Sequence, residues 1–259
     1  MFDINDIQKS ELVLEYQPQM FPDGSLRGFE ALVRVDHPEK GIVYPDTFIP
    51  ALEKEPVFIC DFGLQVIKKS TEFFLKNGLF EDGLVLSINV SPVQIGETFV
   101  ASVKKILSQL GEYASFIVFE ITETTAIFDP APIKDAMKSL KTLGVRFAID
   151  DFGTGYSSFT SITKLPFSEI KIDKSFMPME VLSVEHIQGI IGCFIAIGKN
   201  MQLSVVAEGI ETEAQYKLFQ NAKCIIQGYF ISKPIGERET VKFCKKQGLL
   251  KKRGILSVW

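Results

Sequence analysis

Two aspartates, Asp150 and Asp151, stand side by side directly after the apolar run VRFAI (145–149). Adjacent carboxylates at a strand end can hold two metal ions a few ångströms apart, an arrangement suited to in-line displacement at a phosphoester. Other apolar runs end in similar residues. Asn89 closes LVLSINV (84–90), Glu120 closes FIVFEI (116–121), and Glu123 lies just beyond. Lys171 and Asp173 end the run at 169–172, Glu208 follows LSVVA (203–207), and Gln227 lies in the run 225–231. Glu30 belongs to FEALVRV (29–35). Any one of these alone reads as a helix cap, a turn former or a solvated side chain. Six successive strand ends carrying acid, amide or amine do not, because Glu and Lys are poor N-caps. Carboxylates crowded on one rim repel and raise one another's pKa unless cations neutralise them. Oxygen donors with no nearby His pair and no Cys ligands select hard cations such as Mg²⁺ or Mn²⁺. The residues thus point to a hard-metal site, holding one ion or two.

The elements that must position these groups alternate. LVLEY (12–16) and FEALVRV (29–35) read as strands joined by Phe21-Pro22-Asp23-Gly24-Ser25, whose turn chemistry leaves no room for a helix. The two are therefore expected to be antiparallel, with Glu30 reaching the rim because the second strand runs in reverse. Helical periodicity then appears at 63–76, where Leu64, Ile67, Thr71 and Phe74 share a face, and recurs after each later strand. The last strand is expected at 225–231 and the last helix at 237–247. Eight apolar strands, six of them separated by amphipathic helices, predict a parallel sheet covered on its outside. Their number and the 259 residues favour a (β/α)8 TIM-like barrel with one antiparallel strand near the N-terminus. The alternative, an open doubly wound sheet, lacks its Gly-rich fingerprint after the first strand. Active sites of barrels form at the C-terminal ends of the strands, where the polar residues cluster.

Composition narrows the class. Lys and Arg number 28 against 32 Asp and Glu, a net charge of −4, which argues against polymeric nucleic acid as a partner. No apolar stretch is long enough to span a bilayer, and the start MFDINDIQKS lacks a signal-peptide layout, so a cytoplasmic location is expected. Cys60, Cys193, Cys224 and Cys244 form no CxxC pair and read as reduced core thiols. The basic tail, Lys245-Lys246 and Lys251-Lys252-Arg253, reads as a solvated helix end.

Eight segments in order carry a family resemblance: Tyr16-Gln17-Pro18, EALVR (30–34), SINVS (87–91), EITE (120–123), DDFGTGYSSF (150–159), KIDKSF (171–176), AEGIET (207–212) and QGYFISKP (227–234). The chain resembles the EAL-domain cyclic-di-GMP phosphodiesterases of bacterial second-messenger signalling. The resemblance implies a lead at 1–10, a barrel at 11–250 and a tail at 251–259. It implies hydrolysis of one phosphodiester of cyclic di-GMP to linear pGpG with two Mg²⁺ or Mn²⁺ ions. Glu30, Asn89, Glu120 and Asp150 would ligate one ion, with Asp150 bridging to a second that Asp151 also holds. Glu208 would serve the second site or its water, and Lys171 would orient the attacking water, with Asp173 two residues on as its negative partner. Glu123 would brace the loop 152–158 rather than ligate. Arg34 would grip a substrate phosphate, while Gln17, Leu32, Asp173, Gln227 and Pro234 would help bind the substrate. A homodimer is implied too. Val33, Val35 and the segment 53–59 depart from the family pattern without removing an implied ligand. The rival reading is a catalytically silent domain that binds the dinucleotide or a protein.

Overall fold

The computed structural model describes residues 2–122, 130–154, 162–176 and 182–250. Nine strands form one sheet: β1 (Glu11–Met20), β2 (Leu26–His37), β3 (Gly41–Val43), β4 (Val85–Asn89), β5 (Ile117–Thr122), β6 (Arg146–Asp150), β7 (Glu169–Ile172), β8 (Ser204–Ala207) and β9 (Ile225–Gln227). The order β1-β9-β8-β7-β6-β5-β4-β2 closes on itself because β1 also pairs with β2. The result is an eight-stranded barrel, with β3 hung on the far end of β2 through Val35↔Val43.

The barrel is as expected, but the reversed strand is β1. It runs antiparallel to both β2 and β9, whereas β2 lies parallel to β4. The tight turn after Met20 forces β1 and β2 to run oppositely. The helical crossover from β2 to β4 then makes β2 run with the rest. Glu30 therefore reaches the rim by the barrel's stagger. Glu30 is level with Ser87, and Asn89, two residues further along β4, is level with Glu120.

Helices cover the barrel: α1 (Ile4–Gln8), α2 (Pro45–Leu52), α3 (Pro56–Lys76), α4 (Glu97–Leu110), α5 (Pro130–Lys141), α6 (Val184–Met201), α7 (Glu213–Phe219) and α8 (Glu237–Lys246). The α3 helix starts seven residues before the expected Gly63, because Pro56 occupies its first turn, where a missing N–H costs nothing. The short elements α1, α2 and β3 were not expected; they carry too few residues for a periodic signal. The last strand stops at Gln227, not 231. A Cβ on Gly228 would lie 2.1 Å from the Ile210 carbonyl oxygen, and the Phe230 N–H donates to that same oxygen, so the chain turns there.

Residues alternate between two faces along each strand. The outward set, including Leu86, Ile88, Phe119, Phe147, Ile149 and Ile170, is buried under the helices. Tyr16 stacks on Phe73 at 4.7 Å, and Phe74 meets Phe29 edge-on. Phe74 is fully buried, which contributes on the order of 2–3 kcal/mol. Two of the four cysteines do not fit the expected core role: Cys193 is exposed and Cys60 only partly covered. Among the described residues, no helix is long and apolar enough to cross a membrane.

Candidate active site

The inward-facing positions make the site. Asn89, Glu120, Asp150, Lys171 and Gln227 lie at or near the C-terminal ends of five strands, Glu208 follows β8 directly, and Glu30 lies within β2. Period-two alternation turns the strand residues into the barrel, where the four carboxylates converge on the Lys171 ammonium. Lys171 Nζ contacts Glu120 Oε2 and lies 2.8 Å from Glu208 Oε1, 3.2 Å from Asp150 Oδ1 and 3.7 Å from Glu30 Oε2. Lys171 is 1% exposed, Glu120 2% and Glu30 5%, so this charge is held out of water.

Four carboxylates share one ammonium, and burial disfavours every charge. Burial pushes Glu120 well above the ordinary carboxylate range, and the neighbouring Glu30 carboxylate adds to this against the pull of Lys171. Burial likewise raises Glu208 to about 8. Burial would raise Glu30 too, but Lys171 and hydrogen bonds from Gln227 and Asn89 outweigh it and hold it below its usual value. For Lys171 burial works against the charge, and the four acids together overcome it, raising its pKa well above that of a free lysine. Gln227 Nε2 donates to Glu30 Oε2 at 2.6 Å and to Gln17 Oε1 at 3.0 Å; Asn89 Nδ2 donates to Glu30 Oε1 at 2.6 Å.

Lys171 finds its partners across the barrel and not at Asp173. That carboxylate accepts the Ser175 N–H at 2.9 Å and so opens the 3₁₀ turn Lys174–Phe176. Asp150 faces the cluster, and Asp151 is exposed with φ 54°, a left-handed conformation that costs a non-glycine residue on the order of 1–3 kcal/mol. Its N–H donates to Asp150 Oδ1 at 3.0 Å. Phe152 is buried and its N–H donates to the Lys171 carbonyl. Glu123 and the loop positions 155–158 lie outside the described residues.

Two cavities border the cluster. One of 280 Å³ is lined by Gln17, Glu30, Asp150, Lys171, Asp173 and Gln227. The exposed ring of Tyr229, which no motif pointed to, also lines it. The second, of 360 Å³ and mostly apolar, reaches Leu32, Glu53, Phe62, Asn89, Ser91 and Glu120. Arg34 stands apart from the acids. Its Nε lies 3.0 Å from Glu15 Oε2, and its guanidinium sits over the Tyr44 ring at 4.8 Å. Pro234 precedes Ile235, which pairs with Tyr16 through both backbone hydrogen bonds, and Gln17 Nε2 donates to the Ser232 carbonyl.

The donor set suits a hard divalent cation. It is all oxygen, and its four carboxylates exceed the one ammonium by three formal charges. As they stand, no three acidic, His or Cys side chains among the described residues close on a common point as a cation cage. The point they share is the Lys171 ammonium.

Comparison with known proteins agrees with this architecture. The family model for the EAL domain matches residues 4–234. The bifunctional diguanylate cyclase/cyclic di-GMP phosphodiesterase MucR of Pseudomonas aeruginosa is 33% identical over 234 residues, 88% of this chain and 34% of that protein. The cyclic di-GMP phosphodiesterase NbdA of the same organism is 32% identical, over 88% of this chain and 30% of its own length. The first curated relatives are matched over only 28 to 34% of their length, so this chain spans about a third of each. Among solved structures, the PaMucR phosphodiesterase in complex with c-di-GMP superposes with a TM-score of 0.79 at 32% identity, covering 92% of this chain and 98% of that one. The FimX EAL domain from Pseudomonas aeruginosa, bound to c-di-GMP, gives 0.68 at 26% identity, covering 87% and 91%. The chain belongs to the EAL domain family.

Proposed function

We propose that this chain hydrolyses one phosphodiester bond of cyclic di-GMP to linear pGpG. The observation that carries the reading is the convergence of Glu30, Glu120, Asp150 and Glu208 on Lys171 at the rim of the barrel, beside two cavities. The phosphodiesterase relatives and the c-di-GMP complex of a similar domain support the substrate. Glu30, Asn89, Glu120, Asp150 and Asp151 would hold two divalent cations, Mg²⁺ or Mn²⁺, with Glu208 at the second. When bound, such ions activate water and neutralise charge on the leaving oxygen.

The chain's own residues would do the rest. Lys171 is a donor only, and its Nζ can give a hydrogen bond to the attacking water, fixing a lone pair toward phosphorus. Asn89 and Gln227 hold Glu30 from both oxygens, so its carboxylate cannot rotate freely. The two cavities beside the cluster would take the two bases of the dinucleotide, with Leu32 lining one and Gln17, Asp173 and Gln227 the other. Arg34, Pro234 and the brace Glu123 complete the proposed set.

Glu30→Ala tests the reading. With Mn²⁺ and cyclic di-GMP, chromatography should show pGpG from the parent chain and none from the variant, and calorimetry should show weaker Mn²⁺ binding by the variant. Full turnover by Glu30→Ala at equal Mn²⁺ would remove the metal-site assignment.

A further inference from the structure

Below the acid cluster the barrel interior is also polar. Gln19 is fully buried, Gln227 is 3% exposed, Arg27 6% and Glu169 1%. Arg27 is there because of a bulge. Gln19 pairs with Gly28 and Met20 with Leu26, which leaves Arg27 as the extra residue of β2. Such a residue escapes the strand's alternation, and its side chain is re-aimed. Its guanidinium crosses from β2 to β7, where Nη2 donates to both Glu169 oxygens at 2.5 and 2.6 Å, and Nη1 donates to Gln19 Oε1 at 2.5 Å. Arg146 Nη1 reaches Glu169 Oε1 at 3.3 Å. Gln19 Nε2 then donates to Gln227 Oε1 at 2.8 Å, and Gln227 Nε2 donates to Glu30 Oε2.

We propose that Arg27 and Gln19 are positioning residues that set the direction of the Gln227 amide and thereby hold the Glu30 carboxylate at the reacting rim. Donor and acceptor polarity sets the direction. A guanidinium only donates, so Gln19 must turn its carbonyl toward Arg27. The Gln19 amide nitrogen then faces Gln227, which must answer with its own carbonyl. The Gln227 nitrogen is left for Glu30. Each amide could be reversed without change of shape; the donor-only Arg27 fixes the direction from below, and Gln17, whose Nε2 is held by the Ser232 carbonyl so that its Oε1 meets the Gln227 nitrogen, agrees with it from the side. Reversal would set the Gln227 carbonyl against the Glu30 carboxylate, two acceptors in a buried site. Glu30 would lose one of its two side-chain amide donors and swing, although neither Arg27 nor Gln19 lines the two cavities. This inference rests on the assignment of Glu30 to the metal site.

Gln19→Glu tests the direction of the relay. The change is isosteric, and Arg27 keeps the new carboxylate ionised, so position 19 now only accepts. Position 19 then competes with Glu30 and Gln17 for the Gln227 nitrogen and draws it away from Glu30. Gln19→Leu removes both groups and enforces neither direction. With folding of both checked by thermal unfolding, calorimetry with Mn²⁺ should find Gln19→Glu at least ~10-fold weaker than Gln19→Leu, the scale for losing a partner of a metal-holding side chain. Simple electrostatics gives the opposite order, since an added negative charge attracts the cation. Equal or tighter Mn²⁺ binding by Gln19→Glu would overturn the proposal. The unaltered chain, labelled at glutamine side chains, gives a second decision. NOEs from the Gln227 amide protons to the Glu30 γ-methylene support the relay, and NOEs from them to the Gln19 γ-methylene refute it. Failure of the parent chain to bind Mn²⁺ would refute the proposed function, while the NOEs would still decide the relay.

Discussion

Replacing Lys171 by Met separates what holds the fold from what performs the reaction. The side chain keeps most of its stem, but four carboxylates lose the ammonium they share, three of them within 3.2 Å or less of it. Removing one partner of a buried ion pair costs about 3–5 kcal/mol, because the charge left behind is uncompensated. Uptake of protons by the crowded acids limits that cost. At about 2–4 °C per kcal/mol for a chain of this size, the melting temperature in EDTA should fall by roughly 6–20 °C. Mn²⁺ should reverse the loss more strongly than it stabilises the parent chain, since the acids now lack any other cation. Saturation to ~100 times Kd returns about 2.7 kcal/mol. Hydrolysis should not recover. Single-turnover rates should stay at least ~100-fold below the parent's, with cyclic di-GMP still bound, because the ammonium acts mainly as the nucleophile approaches phosphorus. Scanning calorimetry with and without Mn²⁺, run beside the kinetics, provides both readings. An unchanged melting temperature in EDTA would refute the electrostatic account, and normal turnover would refute the role of Lys171.

Other expectations come from particular contacts. Ca²⁺ prefers longer bonds and looser coordination than Mg²⁺, so cyclic di-GMP should bind in Ca²⁺ with poor hydrolysis; comparable rates in the two ions would count against close positioning at the rim. A Cβ on Gly28 would lie 2.0 Å from the Val85 carbonyl oxygen, a backbone atom in the paired strand. Gly28→Ala should therefore part β2 from β4 and lower stability by at least ~2 kcal/mol in denaturant titration; a neutral result would mean that the strands are not so close. Alkylation with iodoacetamide at pH 8 should label exposed Cys193 first, while the thiols of Cys224 and Cys244, which burial raises to about 12, should react only on unfolding. Equal labelling rates in peptide mass spectra would contradict the burial.

The rim residues were legible because a barrel makes them so. Asn89, Glu120, Asp150, Lys171 and Glu208 interrupt or close apolar runs, and the period-two alternation of strands then turns them inward together. The partner of Lys171 was not legible. Proximity in sequence suggested Asp173, but strand stagger brings Glu120 and Glu208 from other strands closer, and Asp173 is occupied by the turn that follows it. The direction of β2 was misread for a related reason. A turn shows that two strands oppose each other and says nothing about which of them opposes the sheet. The lower relay was hidden more deeply. Arg27 looks like a surface residue until a one-residue bulge redirects it, and its partner Glu169 lies 142 residues away. Glutamines at 19 and 227 are ordinary strand residues until the barrel closes β1 onto β9.

The central claim is metal-assisted attack of water on one phosphodiester of cyclic di-GMP, and hydrolysis in ¹⁸O-labelled water tests it most directly. Purified chain, cyclic di-GMP and Mn²⁺ are incubated in that water, with a parallel sample in EDTA, and the nucleotides are weighed by mass spectrometry. Metal-assisted attack by water should give a single product, pGpG, carrying one ¹⁸O on its terminal phosphate, and no product in EDTA. Cyclic di-GMP that binds tightly yet stays intact in Mn²⁺, or a product without the label, would contradict it.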